Sequence, residues 1–263
     1  MKKYNNLEEY FNLDLGWGNN HESKKVFAFL SECAQFSGGG AVLDAGSGYQ
    51  RYRPFFKDSI YIGQEHPIAG AQNKQISNYD ILCDVENIPL KDGCVKTVLS
   101  TSSLEHFQSP NEFIKEAFRV LEPGGRIYIN VPFAIQEHEI PFDFQRYTRY
   151  GLEALLVRYG FTVRKIEPTS SSLTCALHLL HYALSEELHV RQNILLRILL
   201  RFALYSTYLF SKLWERGLDK GASNLTKLPF GWNAIAEKPG KLDSDKSLES
   251  KESFLKNNLI ESL

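Results

Sequence analysis

Apolar and polar positions along this chain follow two periods in turn. Through KKVFAFLSECAQF, Val26, Phe27, Leu30 and Cys33 recur at three- and four-residue intervals, which places them on one face of a helix. Asn19 or Asn20 is positioned to cap that helix, and Gly38-Gly39-Gly40 to stop it. The period then shortens. AVLDA, SIYIGQE, DILCDV and CVKTVLST are short runs bounded by Gly, Asp or Asn, and they predict four strands. Ser109-Pro110 opens a helix, NEFIKEAFRVL, that Glu122-Pro123-Gly124-Gly125 should break. RIYINV is a fifth strand closed by Pro132, TRYGLEALLVRYG a helix capped by Thr148, and FTVRKIEP a sixth strand. VLDA and VKTVLS are apolar without strict alternation, as strands covered on both faces are. Strands alternating with helices predict an α/β fold, a doubly wound and mostly parallel sheet that binds ligands at the carboxyl ends of its strands.

After Pro168 the pattern changes. Residues 173–216 are long, apolar and helical, LPFGWNAIAEKPG supplies one more strand, and the last residues are charged and serine-rich. The organisation expected is an N-terminal helical segment (1–36), a core (37–168), an apolar helical insertion (169–228), a final core strand (229–240) and a loosely held tail (241–263). ILLRILLRFALYSTYLFSKLW has the length of a membrane span. A central Arg costs about 2.5–3.5 kcal/mol on insertion, whereas each Leu, Ile or Phe returns only about 0.3–0.6. Arg197 and Arg201 therefore roughly cancel the apolar gain, and a span would separate the final strand from its sheet, so the segment is expected not to cross. Arg197, Arg201, Tyr205, Tyr208 and Lys212 instead form one polar stripe at helical spacing. Packing within the protein, a homodimer through residues 173–215, a cap on a ligand pocket and peripheral membrane contact all remain open for it.

Composition narrows the function classes. With 263 residues the chain can bury a substantial core. A formal charge of -1 and a pI near 6.7 argue against general nucleic-acid binding, which needs a dense basic surface. Cys33, Cys83, Cys94 and Cys175 are scattered, which gives neither a metal site nor a disulfide framework. The basic start MKKYNN has no apolar stretch behind it, so a cytoplasmic location is expected, with the inner membrane face as the place for any peripheral contact.

The chemistry concentrates in VLDAGSGYQ, residues 42–50. A dinucleotide fingerprint needs G-x-G-x-x-G, and Arg51 stands where its third glycine should be. No Gly-Lys-Ser/Thr follows for a P-loop. A dehydrogenase is disfavoured on this ground. Asp44 inside the motif, Glu65 closing YIGQE and Asp84 after the third strand form a different set. In this order and spacing VLDAGSG, YIGQE, CDVENIPLKDGCVKTVLSTSSLEHF and FIKEAFRVLEPGGRIYINVPF resemble the class I S-adenosylmethionine-dependent methyltransferases, of the type 11-like, glycan and small-molecule branch. The resemblance covers about 41–168 and resumes at 230–238. Gln50 departs from it, because many members carry a third glycine there, and its side chain should narrow the space at the cofactor's methionine end.

The resemblance implies a Rossmann-like methyltransferase sheet, S-adenosylmethionine as cofactor and a set of roles. Gly46, Ser47 and Gly48 would let the backbone approach the cofactor. Asp44 would fix the turn and favour the ammonium end, and Glu65 would accept both ribose hydroxyls. Asp84 and the Val85 N–H would take the adenine, with a strand-end turn carboxylate as the plainer reading of Asp84. Ser103 and His106 would line the far side, His106 as a packing residue rather than a base.

VPFAIQEHEIPFDFQRYTRYGLEALL, just beyond the fifth strand, gathers Glu137, His138, Asp143, Arg146 and Thr148. An oxygen acceptor gains from a positioned base, and histidine titrates in the useful range. His138 is the candidate base, with Asp143 or Glu137 orienting it or the substrate and Arg146 at the substrate. The alternative is structural, an Asp143–Arg146 pair pinning the loop. Similar H-x-x-P-x-D-[FY]-x-R-[FY]-T stretches occur in family members of sugar and polysaccharide pathways, which points to O-methylation of a sugar or lipid-linked glycan. Two readings compete with it. One is transfer to nitrogen or carbon of another metabolite; the other is a non-catalytic interaction or membrane-docking module, against which the three retained acids count.

Overall fold

The computed structural model describes residues 21–67, 79–190, 193–214 and 226–240. The candidate caps Asn19 and Asn20 and the tail 241–263 lie outside them. Helix α1, His21–Ser37, ends at the glycine run as expected. Its buried side is Val26, Phe29, Leu30 and Cys33, and Phe27 lies at the edge of that face.

Strands β1 (Ala41–Ala45), β2 (Ile60–Glu65), β3 (Ile81–Leu82), β4 (Val95–Thr101), β5 (Leu121–Pro132), β6 (Thr162–Pro168) and β7 (Gly231–Glu237) form one sheet in the order β3-β2-β1-β4-β5-β7-β6. The pairs β1–β2, β1–β4, β2–β3 and β4–β5 are parallel. β7 runs against β5: Lys238 N donates to Gly125 O at one end, and Asn130 Nδ2 donates to Asn233 Oδ1 at the other. The order reverses between β1 and β4, so the crevice of a doubly wound sheet opens at the carboxyl ends of these two strands.

Two elements depart from expectation. β3 is only two residues long, with an aspartate at each flank bonding to a backbone N–H. Asp80 accepts from Gly63 N at 2.7 Å and Asp84 from Glu86 N at 3.0 Å. The helix before Glu122-Pro123-Gly124-Gly125 ends as expected, but the strand expected at RIYINV already begins at Leu121, so this stretch is the start of β5. Leu121 pairs with Val95 and the register shifts before Thr97. Gly124 sits at φ +81°, and a Cβ on Gly125 would stand 2.9 Å from the Lys96 carbonyl. Only glycine lets the ladder carry this irregularity without breaking.

Helix α2, Pro110–Val120, carries Pro in its first turn, where a missing N–H costs nothing. Helix α3, Arg149–Arg158, is capped by Thr148, whose Oγ1 accepts from Gly151 N at 3.0 Å. The apolar insertion resolves into two helices, α4 (Ser172–Val190) and α5 (Ile194–Leu213), which pack on each other. Asn193 separates them and caps α5 by accepting from Leu195 N and Leu196 N. Among the described residues α5 is the one helix long and apolar enough, over Ile194–Ser211, to cross a bilayer.

The chain divides into two compact units. One is built from the described parts of Phe29–Val131, Phe144–Ile166 and Asn233–Leu263, and it holds most of the sheet. The other is built from the described parts of Met1–Ala28, Pro132–Asp143 and Glu167–Trp232, and it holds the loop after β5 with α4 and α5.

Candidate functional site

In the sheet unit β1 delivers the chain into a left-handed turn. Gly46 lies at φ +74°, Gly48 at +50° and Gln50 at +53°. Gly46 needs glycine, because a Cβ there would stand 2.6 Å from Ser103 Oγ, whereas above Gly48 a Cβ would meet nothing within 4 Å. The turn is closed on one side and open on the other.

The last two residues of β2 take every N–H of Gly46-Ser47-Gly48. Gln64 Oε1 accepts from Gly46 N at 3.0 Å, the Gln64 carbonyl from Ser47 N at 2.9 Å, and Glu65 Oε2 from Gly48 N at 2.8 Å. Glu65 Oε1 accepts from His66 N at 2.8 Å. Each Glu65 oxygen thus spends one lone pair on the backbone and keeps another, enough for a diol. Gln64 Nε2 also donates to Cys83 O at 2.6 Å, tying the turn to the end of β3.

Asp44 is fully enclosed. Its Oδ2 accepts from the Tyr61 hydroxyl, and its Oδ1 has no hydrogen-bond partner among the described residues. Burial pushes its carboxyl up to about 7, the Tyr61 bond opposing and the Glu65 charge adding to the rise. Ser47 Oγ, buried in the same turn, has no partner among the described residues either. Two orphaned polar atoms, an open face above Gly48 and spare acceptors on Glu65 fit a polar, cationic, diol-bearing group such as S-adenosylmethionine.

The other expected residues sit as follows. The Asp84 side chain is half-exposed; Oδ1 serves its own turn, and Oδ2 lies 3.8 Å from His66 Nε2. Val85 is buried behind it. Ser103 Oγ contacts the carbonyls of Gly46 (3.1 Å) and Thr101 (3.0 Å), so it braces the turn. His106 ends a short 3-10 helix, Leu104–His106, with Nε2 3.7 Å from the buried Glu105 Oε1. Arg146 Nη1 donates to the Gln145 carbonyl.

Gln50 does not behave as its bulk suggests. Its side chain folds over β2, at Gly63, where a Cβ would meet Gln50 Nε2 at 2.4 Å. Arg53 Nε donates to Gln50 Oε1 at 2.7 Å, and Arg53 also pairs with Asp80. Gly63 thus supplies the room that the Gln50 side chain occupies. Gln64, Tyr61, Arg53 and Asp80 were missed by sequence reasoning. The signal was the polar pair Gln-Glu closing an otherwise apolar strand.

In the second unit the loop after β5 brings His138 and Asp143 together. The Asp143 side chain is buried; its Oδ2 accepts from His138 N at 2.9 Å and lies 3.3 Å from Nδ1. The Gln136 carbonyl stands 3.4 Å from the same Nδ1. A carbonyl that cannot donate and a carboxylate both face Nδ1, so the tautomer of the neutral ring that suits this side carries its proton on Nδ1. Glu137, exposed, belongs to the same loop.

Residues 43–129 match the family model described as a methyltransferase domain. Over 121 residues the chain is 30% identical to the tRNA (carboxymethyluridine(34)-5-O)-methyltransferase of Arabidopsis thaliana, a stretch covering 43% of this chain and 28% of that protein. The chain thus spans less than a third of that relative's length. Among solved structures the cyclase SpnF superposes with TM-score 0.51 at 19% identity, covering 83% of this chain and 81% of its own. A chain from the complex between the Haloferax volcanii Trm112 methyltransferase activator and a methyltransferase candidate superposes with TM-score 0.50 at 14% identity, covering 82% and 89%. The fold is the Rossmann-like methyltransferase fold with a helical insertion, and S-adenosylmethionine is the cofactor of this domain. A cyclase on the same fold shows why the reaction must be argued from the site.

Proposed function

We propose that this chain is an S-adenosylmethionine-dependent methyltransferase that methylates an oxygen of a small molecule, a sugar or lipid-linked glycan intermediate. The observation that carries the proposal is the clasp of Glu65 on the Gly46–Gly48 turn, with acceptor capacity left on both carboxylate oxygens. Bound S-adenosylmethionine supplies a sulfonium-activated methyl group, so the protein has mainly to align, desolvate and deprotonate. Glu65 accepts from the ribose hydroxyls. Asp44 and Ser47 give the turn a polar, acid-lined floor. Asp84 and the Val85 N–H serve the adenine edge.

His138 takes the acceptor's proton on Nε2, and Asp143 holds Nδ1–H so that the correct nitrogen is basic. The imidazolium that forms is steadied by the same carboxylate. This arrangement suits a hydroxyl, which must lose a proton, better than a neutral amine. The Arabidopsis relative, named for transfer to oxygen, supports the same choice of atom. Its tRNA substrate supplies the second reading, and a formal charge of -1 stands against it.

The test is transfer of labelled methyl from S-adenosylmethionine to separate sets of nucleotide sugars, lipid-linked glycans, amines and tRNA. Label on a carbohydrate oxygen, abolished in His138→Ala, is expected. Label on nitrogen that persists in His138→Ala, or label on tRNA, would replace the proposal with one of the other readings.

A further inference from the structure

We propose that helix α5 is a docking surface for an anionic lipid bilayer, lying in the headgroup region parallel to the membrane plane. None of Ile194–Ser211 is buried within the chain, although the segment is among its most apolar. The partly covered residues of α5, Leu200, Ala203, Leu204, Thr207 and Ser211, fall on one face of the helix and mark the side packed toward α4. Opposite them Leu195, Ile198, Phe202, Leu209 and Leu213 form the outward side, with Phe202 71% and Ile198 57% exposed. A contiguous apolar face of this kind marks an interaction site rather than ordinary surface.

The charges on the helix select the occupant. Arg197 and Arg201 are exposed one helical turn apart, between the packed and outward sides. From there their stems cover apolar surface while the guanidinium groups reach headgroup phosphates. No Asp or Glu occurs between Asn193 and Leu213. A second copy seated on this face would bring two arginine stripes together with no carboxylate on either helix to receive them. A bilayer core would strand both arginines in hydrocarbon. An anionic surface satisfies the apolar face and the arginines together.

The experiment is flotation of the full chain with vesicles of equimolar phosphatidylglycerol and phosphatidylcholine, against vesicles of phosphatidylcholine alone. Binding to the anionic vesicles, lost in high salt, is expected. Each arginine contributes about fivefold to partition, so R197Q/R201Q should bind about twenty-five-fold more weakly. I198S/F202S should remove binding, with far-UV circular dichroism confirming that both variants fold. The lipid-charge and salt dependence of the unaltered chain tests the idea even where a variant fails to fold. Equal binding to neutral and anionic vesicles, or none to either, would overturn it. So would a dimer in sedimentation equilibrium that I198S/F202S dissociates, which would make the face a contact between copies. Association that resists both high salt and alkaline carbonate would also overturn it, in favour of a span.

Discussion

Asp44 shows how much one buried group governs. Its carboxyl lies at about 7 in the folded chain against 3.8 for the exposed group, with burial as the main cause. Between those values the folded state binds more protons than the unfolded one, so stability falls as pH rises from about 4 to 7 and levels off beyond. Asp44→Asn keeps an acceptor for Tyr61 and removes the titration. Denaturant melts across that range should show the slope flatten, by an amount approaching about 4 kcal/mol over the whole interval. A slope unchanged in Asp44→Asn would assign it to other groups. At the loop, His138→Ala should lower kcat about 10²–10⁴-fold while leaving S-adenosylhomocysteine affinity intact. Asp143→Asn should lower kcat less and likewise spare the cofactor, because it acts by positioning the imidazole. Parallel loss of affinity in either variant would point to a structural role for the loop.

At the scale of elements, α2 anchors the segment that leaves β3. Arg119 donates to the carbonyls of Ile88 (2.8 Å) and Leu90 (2.7 Å) and pairs with Asp92 and Glu116. Glu116 in turn accepts from Ile88 N at 3.0 Å, and its bond to Arg119 holds its carboxyl below the usual range. One pair of side chains thus fixes the backbone a few residues beyond Asp84 and Val85. Arg119→Ala should destabilise the chain by about 1–3 kcal/mol and weaken S-adenosylhomocysteine binding without touching it. Unchanged affinity in a calorimetric titration would disconnect this clamp from the cofactor site. The strand and helix signals were legible in the sequence wherever burial repeated them, as in AVLDA and NEFIKEAFRVL. They failed where a side chain replaced a backbone partner, as Asp80 does at Gly63 N beside β3, and where Gly124-Gly125 let β5 begin directly after the helix.

For the whole molecule, the order of motifs gave the parallel sheet and its crevice, because motif order and strand order are linked in a doubly wound fold. Glu65 and the glycine turn were legible because each residue's chemistry is local to a strand end. The Gln64, Tyr61 and Gln50–Gly63 contacts were not, since each joins positions far apart in sequence that only the folded sheet brings together. The division of α4 from α5 at Asn193 falls at the polar run SEELHVRQN, which a reading of residues 173–216 as one apolar stretch passes over. The turn, Glu65 and the acids beside them are proposed to hold S-adenosylmethionine. Isothermal titration with S-adenosylhomocysteine, with NAD as the comparison and Glu65→Ala as the control, tests this most directly. Binding of S-adenosylhomocysteine alone is expected, weakened about 10–100-fold in Glu65→Ala through loss of charge-assisted hydrogen bonds. A folded chain that binds neither, or that binds S-adenosylhomocysteine equally well without Glu65, would contradict it.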